Sequence, residues 1–239
     1  MKHQSAGPAY ADRARAALLA HACGDRFGAP LEFVSAASVR TRTVVLGNWI
    51  EDTHMSFCLG EAILAHGPGP LRPDSFGQAV GEAFVRWLHD PLMPSTAPGG
   101  TCLSGARRFQ RRCDWRGIGI KESDGCGAVM RVCPVALAFR SEDPAGGCAY
   151  LGPADPRPAQ CPGSGHGRGL AVQPGPGDRV LGRRAGRGGH PGPGGALLGA
   201  ALGEAAIPPD WLRTLPRRTE IADLADHLVA QAQRQQAEG

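Results

Sequence analysis

The sequence lacks the long apolar runs and basic clusters that would place it in a membrane or on a nucleic acid. No stretch of its 239 residues approaches 18 continuous apolar positions, so we expect no membrane span. The N-terminus has no uninterrupted apolar region of the kind a secretory signal needs. The net charge of +4 comes from scattered arginines and not from one block. Such a balance indicates neither nucleic-acid nor membrane binding.

Cysteine pairs at metal-binding or redox spacing are also missing. Eight cysteines are present, and none forms a C-x-x-C pair. Five of them fall in helical or loop-to-helix segments, where cysteine acts as a small apolar side chain in a reducing compartment. These five are Cys23, Cys58, Cys102, Cys126 and Cys133. We therefore expect a cytoplasmic protein without disulfides.

Strand signals are scarce, and helical periodicity dominates instead. Only "VRTRTVVL" (39–46) carries a β-branched run. Apolar residues at helical spacing predict helices over 9–23, 51–65 and 73–89. Three further helices are predicted to begin at about Thr101, at Ala196, and after Thr219, which is the expected N-cap. In the last of these, Ile221, Leu224 and Leu228 share one face. The fold class is predicted to be mostly α, with 1–239 forming a single domain.

Two glycine-rich stretches interrupt this pattern. "GDRFGAP" (24–30) is expected to be a loop, with Asp25 fixing its own turn. The segment 144–195 holds 16 Gly, 9 Pro and 6 Arg and has no sustained period. A structureless stretch of that length is unusual inside a compact domain. We interpret it either as a disordered insertion or as a segment translated out of frame in a GC-rich gene.

Two adjacent acids, Glu51 and Asp52, stand at the start of the 51–65 helix. Acids are favoured there because the helix N-terminus is electropositive. Adjacent carboxylates can also hold a hard cation such as Mg²⁺. Both explanations remain open on this stretch alone.

Four stretches, in this order and spacing, resemble the ADP-ribosylglycohydrolase family. They are "GDRFGAPLEF" (24–33), "WIEDTHM" (49–55), "APGGTCLSG" (97–105) and "DGCGAVMRVCPVAL" (124–137), followed by the closing "GALLGAALGEAAIPPDWL" (195–212). The resemblance implies an all-α fold with a dinuclear Mg²⁺ or Mn²⁺ site in a central cleft. It also implies hydrolysis of the glycosidic bond that joins ADP-ribose to a protein side chain or a small molecule.

The resemblance also assigns roles to individual residues. It implies that Glu51 and Asp52 are metal ligands and that Glu32 is a catalytic or substrate-orienting acid. It implies that Gly125, Cys126 and Gly127 form the loop whose N–H groups approach the phosphates of ADP-ribose. The expected partner is an ADP-ribosylated protein or a small ADP-ribose conjugate.

The sequence departs from the family's pattern at both halves of the metal site. The family's Thr-Asp-Asp-Thr reads Ile50, Glu51, Asp52 and Thr53 here, so one oxygen is lost and one acid is longer. The closing Asp-x-Asp-Thr is replaced by "GRGGHPGPG" (186–194). We therefore expect weak or absent hydrolysis. The alternatives are a catalytically dead protein that binds ADP-ribose or serves as a scaffold, and a degenerate gene product.

Overall fold

The computed structural model describes residues 9–31, 38, 47–69, 72–119, 127–139 and 191–238. All regular structure in these ranges is helical, and no strand occurs among them. The predicted all-α class is therefore confirmed. The possible strand at 39–46 and nearly all of the Gly/Pro-rich segment lie outside the described residues.

The helices follow one another from the N-terminus to the C-terminus. They are α1 (Tyr10–Gly28), α2 (Glu51–His66), α3 (Pro73–Leu88), α4 (Gly100–Arg112), α5 (Cys133–Ala138), α6 (Pro191–Leu202), α7 (Pro209–Arg213) and α8 (Arg218–Glu238). Short 3₁₀ segments lie at Ala29–Leu31, Met93–Thr96, Val129–Arg131 and Glu204–Ala206.

The core forms where α1, α2, α5 and α8 meet. Leu19 of α1, Ile63 of α2 and Leu228 of α8 are each fully buried in it. A second apolar cluster joins α2 to α3 and α4 around Met55 and Trp87. Helix α2 belongs to both clusters, so its first turn is fixed from several sides.

Helix α6 lies unusually close to α1 because glycines form its contact face. A Cβ atom built at Gly195 would lie 2.1 Å from the carbonyl oxygen of Ala20, and one at Gly199 would lie 2.1 Å from that of Ala16. Neither distance is compatible with a real side chain. The glycines of "GALLGA" therefore allow backbone-to-backbone packing of the two helices.

Three local expectations are wrong. The "GDRFGAP" stretch is not a loop, because α1 continues through it to Gly28. Helix α6 begins at Pro191 and not at Ala196, so the last residues of the Gly/Pro-rich segment 144–195 are helical. Thr219 is not the N-cap of the last helix, which begins at Arg218. The shared face of that helix is confirmed, since Ile221, Leu224 and Leu228 are buried.

Candidate functional site

The site is built around the first turn of α2, where both predicted acids are buried. Glu51 is 7% exposed and Asp52 is 1% exposed. The preceding residue, Ile50, has extended backbone and no side chain able to cap the helix. The N–H groups of the first turn therefore need an acceptor from another part of the chain.

Asp25 of α1 supplies that acceptor. Its Oδ2 atom accepts hydrogen bonds from the backbone N–H of Ile50 at 2.9 Å, the backbone N–H of Thr53 at 3.1 Å and the Thr53 hydroxyl at 2.7 Å. The expectation that Asp25 stabilises its own turn is thus wrong. Its carboxylate instead caps a helix that lies more than twenty residues further along the chain.

The environment of Asp25 disfavours its charge. The side chain is 1% exposed, and burial, with a smaller contribution from Asp52, raises its pKa from 3.8 to about 7. Its hydrogen bonds from Thr53 and Ile50 act in the opposite direction, since they stabilise the ionised form. The carboxyl group of Asp25 therefore holds its proton more tightly than an exposed aspartate does.

The Glu51 carboxylate turns towards the start of α4. Its Oε2 atom accepts the backbone N–H of Gly99 at 2.5 Å. A Cβ atom at Gly99 would lie 3.0 Å from Glu51 Oε1, so a side chain there would crowd the acid. One oxygen of Glu51 is thus held by the protein itself, and α4 is joined to the acid pair.

Gly127 also lies near the start of α4, against Cys102. A Cβ atom at Gly127 would lie 2.9 Å from Cys102 Sγ and 3.7 Å from Arg131 Nη1. The Arg131 guanidinium stacks over the Phe84 ring and donates to Cys102 Sγ at 3.5 Å. Sulfur is a weak acceptor, so the arginine charge can still attract an anion. The other predicted site residues, Glu32, Gly125 and Cys126, lie outside the described part of the chain.

Sequence reasoning missed a buried polar chain beside the acids. His21 Nε2 lies 3.3 Å from Ser56 Oγ, and the Ser56 hydroxyl donates to the carbonyl oxygen of Met130 at 3.2 Å. His21 lies one turn before Asp25 on α1, and Ser56 lies one turn after Asp52 on α2. Helical spacing from the acids would have been the only signal for this pair.

A second histidine lies on the other side of α2. His54 is buried, and its Nε2 lies 3.2 Å from Asp90 Oδ2. Burial lowers the pKa of His54, although Asp90 opposes that shift. The ring also contacts Trp49 and Trp87. The contact between His54 and Asp90 joins α2 to the residues that follow α3.

Comparison with known proteins decides the family. The family model described as ADP-ribosylglycohydrolase matches residues 6–151 and 194–238. The chain belongs to the ADP-ribosylglycohydrolase family. The acid pair, Asp25 and Gly127 all lie within the ranges that the family model matches.

Two curated proteins resemble the chain in sequence. The ADP-ribosyl-[dinitrogen reductase] glycohydrolase of Rhodospirillum rubrum is 30% identical over 145 residues, which cover 55% of this chain and 46% of that protein. The ADP-ribosylarginine hydrolase Tri1 of Pseudomonas putida is 27% identical over 146 residues, covering 54% and 37%. The matched part of the chain thus spans less than half the length of these two relatives.

A solved structure supports the fold. An ADP-ribosylglycohydrolase-related protein complex superposes with a TM-score of 0.62 at 20% identity, covering 93% of this chain and 99% of that one. Within the described ranges, no helix combines the length and the apolar composition needed to cross a bilayer.

The described residues do not form a complete dinuclear metal centre of the kind the resemblance implies. Among them, no three His, Cys, Asp or Glu side chains converge as metal ligands. One oxygen of Glu51 and one of Asp25 already accept hydrogen bonds from the protein. The first turn of α6, where the resemblance places the second half of the metal site, carries no acidic residue.

Proposed function

We propose that this chain is a slow ADP-ribosyl hydrolase that removes ADP-ribose from a modified protein or small molecule. The observation that carries the proposal is the buried acid pair Glu51–Asp52 at the first turn of α2, in a chain of this family. Carboxylates that are buried in proteins are usually paired with other groups or coordinate metals. The names of the two relatives, which refer to ADP-ribosyl-dinitrogen reductase and ADP-ribosylarginine, support an ADP-ribosylated protein as the substrate class.

We propose that Asp52, with Glu51, binds one Mg²⁺ or Mn²⁺ ion weakly. A divalent ion there would polarise ribose hydroxyls and lower the pKa of a water molecule. The affinity is expected to be low for two reasons. The helix N-terminus disfavours a cation, and the N–H group of Gly99 competes for one oxygen of Glu51.

The remaining roles concern the substrate. Gly127, with Gly125 and Cys126, is proposed to approach the phosphates of ADP-ribose through backbone N–H groups. The neighbouring guanidinium of Arg131 supports this assignment, because a diphosphate is a strong anion. Glu32 is proposed as the acid or base that protonates the leaving group or activates water.

Slow turnover follows from the groups that the chain lacks. Ile50 provides no oxygen, Glu51 is one methylene longer than aspartate, and the start of α6 provides no carboxylate. When catalytic groups act as a unit, removing part of the unit lowers the reaction rate by several powers of ten. A second candidate function is an ADP-ribose-binding protein without turnover. It is favoured by the hydrogen bond from the Gly99 N–H to Glu51, because this bond occupies an oxygen that a catalytic metal ion would need.

Release of free ADP-ribose from an ADP-ribosylarginine protein tests the proposal. The intact chain should release it slowly with Mg²⁺ or Mn²⁺, and Asp52→Ala should abolish the release. Asp223→Ala, which removes an exposed acid from α8, is the matched control and should retain the rate. Calorimetric ADP-ribose binding without release would favour the second candidate, and neither binding nor release would refute both.

A further inference from the structure

Helix α2 depends on a residue of another helix for its first hydrogen bonds. Ile50 cannot cap it, and the three donors at Ile50 and Thr53 converge on one oxygen of Asp25. Capping by an acid is common, but it usually comes from the residue just before the helix. Here the cap comes from α1, so it ties the position of α2 to that of α1.

The residue next to Asp25 holds the segment that leads into α2. Arg26 donates to the carbonyl oxygen of Gly47 and to the hydroxyl of Thr214, the latter at 3.0 Å. Trp49 adds a bond from its indole N–H to the carbonyl oxygen of Pro216 at 3.2 Å. The stretch from Gly47 to Thr53 is therefore anchored by α1 on one side and by the approach to α8 on the other.

We infer that Asp25 is a positioning residue that fixes the first turn of α2 and so aims Glu51 and Asp52 into the site. The two acids lie between Ile50 and Thr53, whose N–H groups Asp25 holds. Their backbone therefore cannot shift unless those bonds break. Ligand distances at a metal ion vary by only about 0.2 Å, so small shifts of this turn would matter. The part of this inference that concerns a metal rests on the function proposed above.

Asp25 acts through the turn and is not itself placed as a ligand. Its Oδ2 atom already accepts three hydrogen bonds, so this oxygen is engaged by the start of α2. An asparagine at this position would keep an acceptor oxygen without the charge. An alanine would leave the three donors buried without their acceptor. The two substitutions therefore separate the cap from the charge.

Two measurements on the intact chain test the inference: amide hydrogen exchange over residues 47–56 and Mn²⁺ binding by calorimetry. Asp25→Ala should speed exchange at Thr53 at least tenfold and weaken Mn²⁺ binding at least tenfold. Asp25→Asn should restore both to near the original values. Exchange at Leu228 in α8 should stay unchanged, which a general loss of stability would not allow. Asp12→Asn, an acid-to-amide change on the same helix, is the control.

The two measurements also separate this inference from the proposed function. If the original chain binds no Mn²⁺, the proposed metal site is refuted. The positioning role of Asp25 is then tested by amide hydrogen exchange alone. Equal exchange at Thr53 in the original chain and in Asp25→Ala would overturn it. If Asp25→Ala does not fold, Thr53→Ser and Thr53→Val replace it. The serine keeps a hydroxyl for Asp25, so only the valine should speed exchange over 47–56, and equal exchange in both would overturn the inference.

Discussion

The contact between α6 and α1 allows a prediction in which two neighbouring glycines respond with opposite signs. Gly195 faces α1, and a Cβ atom there would lie 2.1 Å from the Ala20 carbonyl oxygen and 2.8 Å from its carbonyl carbon. Gly194 is in the same helix, and a Cβ atom there would meet nothing within 4 Å. Both positions have the same intrinsic preference for alanine, so the difference between them isolates the packing.

The magnitude follows from two competing effects. Alanine is more favourable than glycine in a helix by about 1 kcal/mol, which should stabilise Gly194→Ala by about 0.5–1 kcal/mol. At Gly195 the new methyl group must move more than about 1 Å to reach ordinary contact distance, and only backbone movement can provide that. Overpacking of this kind costs about 1–3 kcal/mol, occasionally more. Gly195→Ala should therefore be destabilising, by up to about 2 kcal/mol after the gain in helix preference.

Thermal unfolding followed by circular dichroism at 222 nm measures both variants. A change of 1 kcal/mol shifts the midpoint by about 2–4 °C for a chain of this size. We expect Gly194→Ala to melt slightly above the original chain and Gly195→Ala to melt several degrees below it. If Gly195→Ala melts as high as Gly194→Ala, the close approach of α6 to α1 is refuted.

Three further predictions concern the acids. Asp52→Ala should abolish Mn²⁺ binding in calorimetry while Asp223→Ala preserves it, and equal affinity in both would exclude the site. Ile50→Thr with Glu51→Asp should raise ADP-ribose release less than about tenfold, because the acids that act with them are still missing; a gain of a hundredfold or more would contradict this. The pKa of Asp25 is about 7 in the folded chain, against an ordinary value of 3.8. Between these two pH values, Asp25 is protonated in the folded state and ionised in the unfolded state. Stability should therefore fall as the pH rises from 5 to 7, on the order of 2 kcal/mol, and Asp25→Asn should lose this dependence in urea unfolding without metal. Identical pH profiles would show that Asp25 is not protonated.

The sequence was informative wherever the determining interactions are local. Periodicity predicted 51–65 and 73–89, and the structure has Glu51–His66 and Pro73–Leu88. The start of α2 at its acid pair could be predicted because acids and a helix N-terminus interact within one turn. The buried face of α8 followed from spacing for the same reason.

The sequence could not assign Asp25, because glycines on both sides of it are typical of a turn. Its actual partners are 25 and 28 residues away, and they are reached only once α1 and α2 have packed. The His21–Ser56 contact also joins two helices and carries no local pattern. The Pro191 start of α6 was missed because proline and glycine disfavour helix, and packing against α1 outweighs that preference.

The chain's helical class and the location of its acids in the sequence are therefore determined by local chemistry, since each depends on neighbours within one or two turns. The burial of those acids, the cap from Asp25 and the glycine contact of α6 with α1 are decided only by the tertiary structure. Each of them brings together atoms from helices that are distant in the sequence. The residue pattern of one helix does not specify which distant group will accept hydrogen bonds from its first turn or pack against its exposed face.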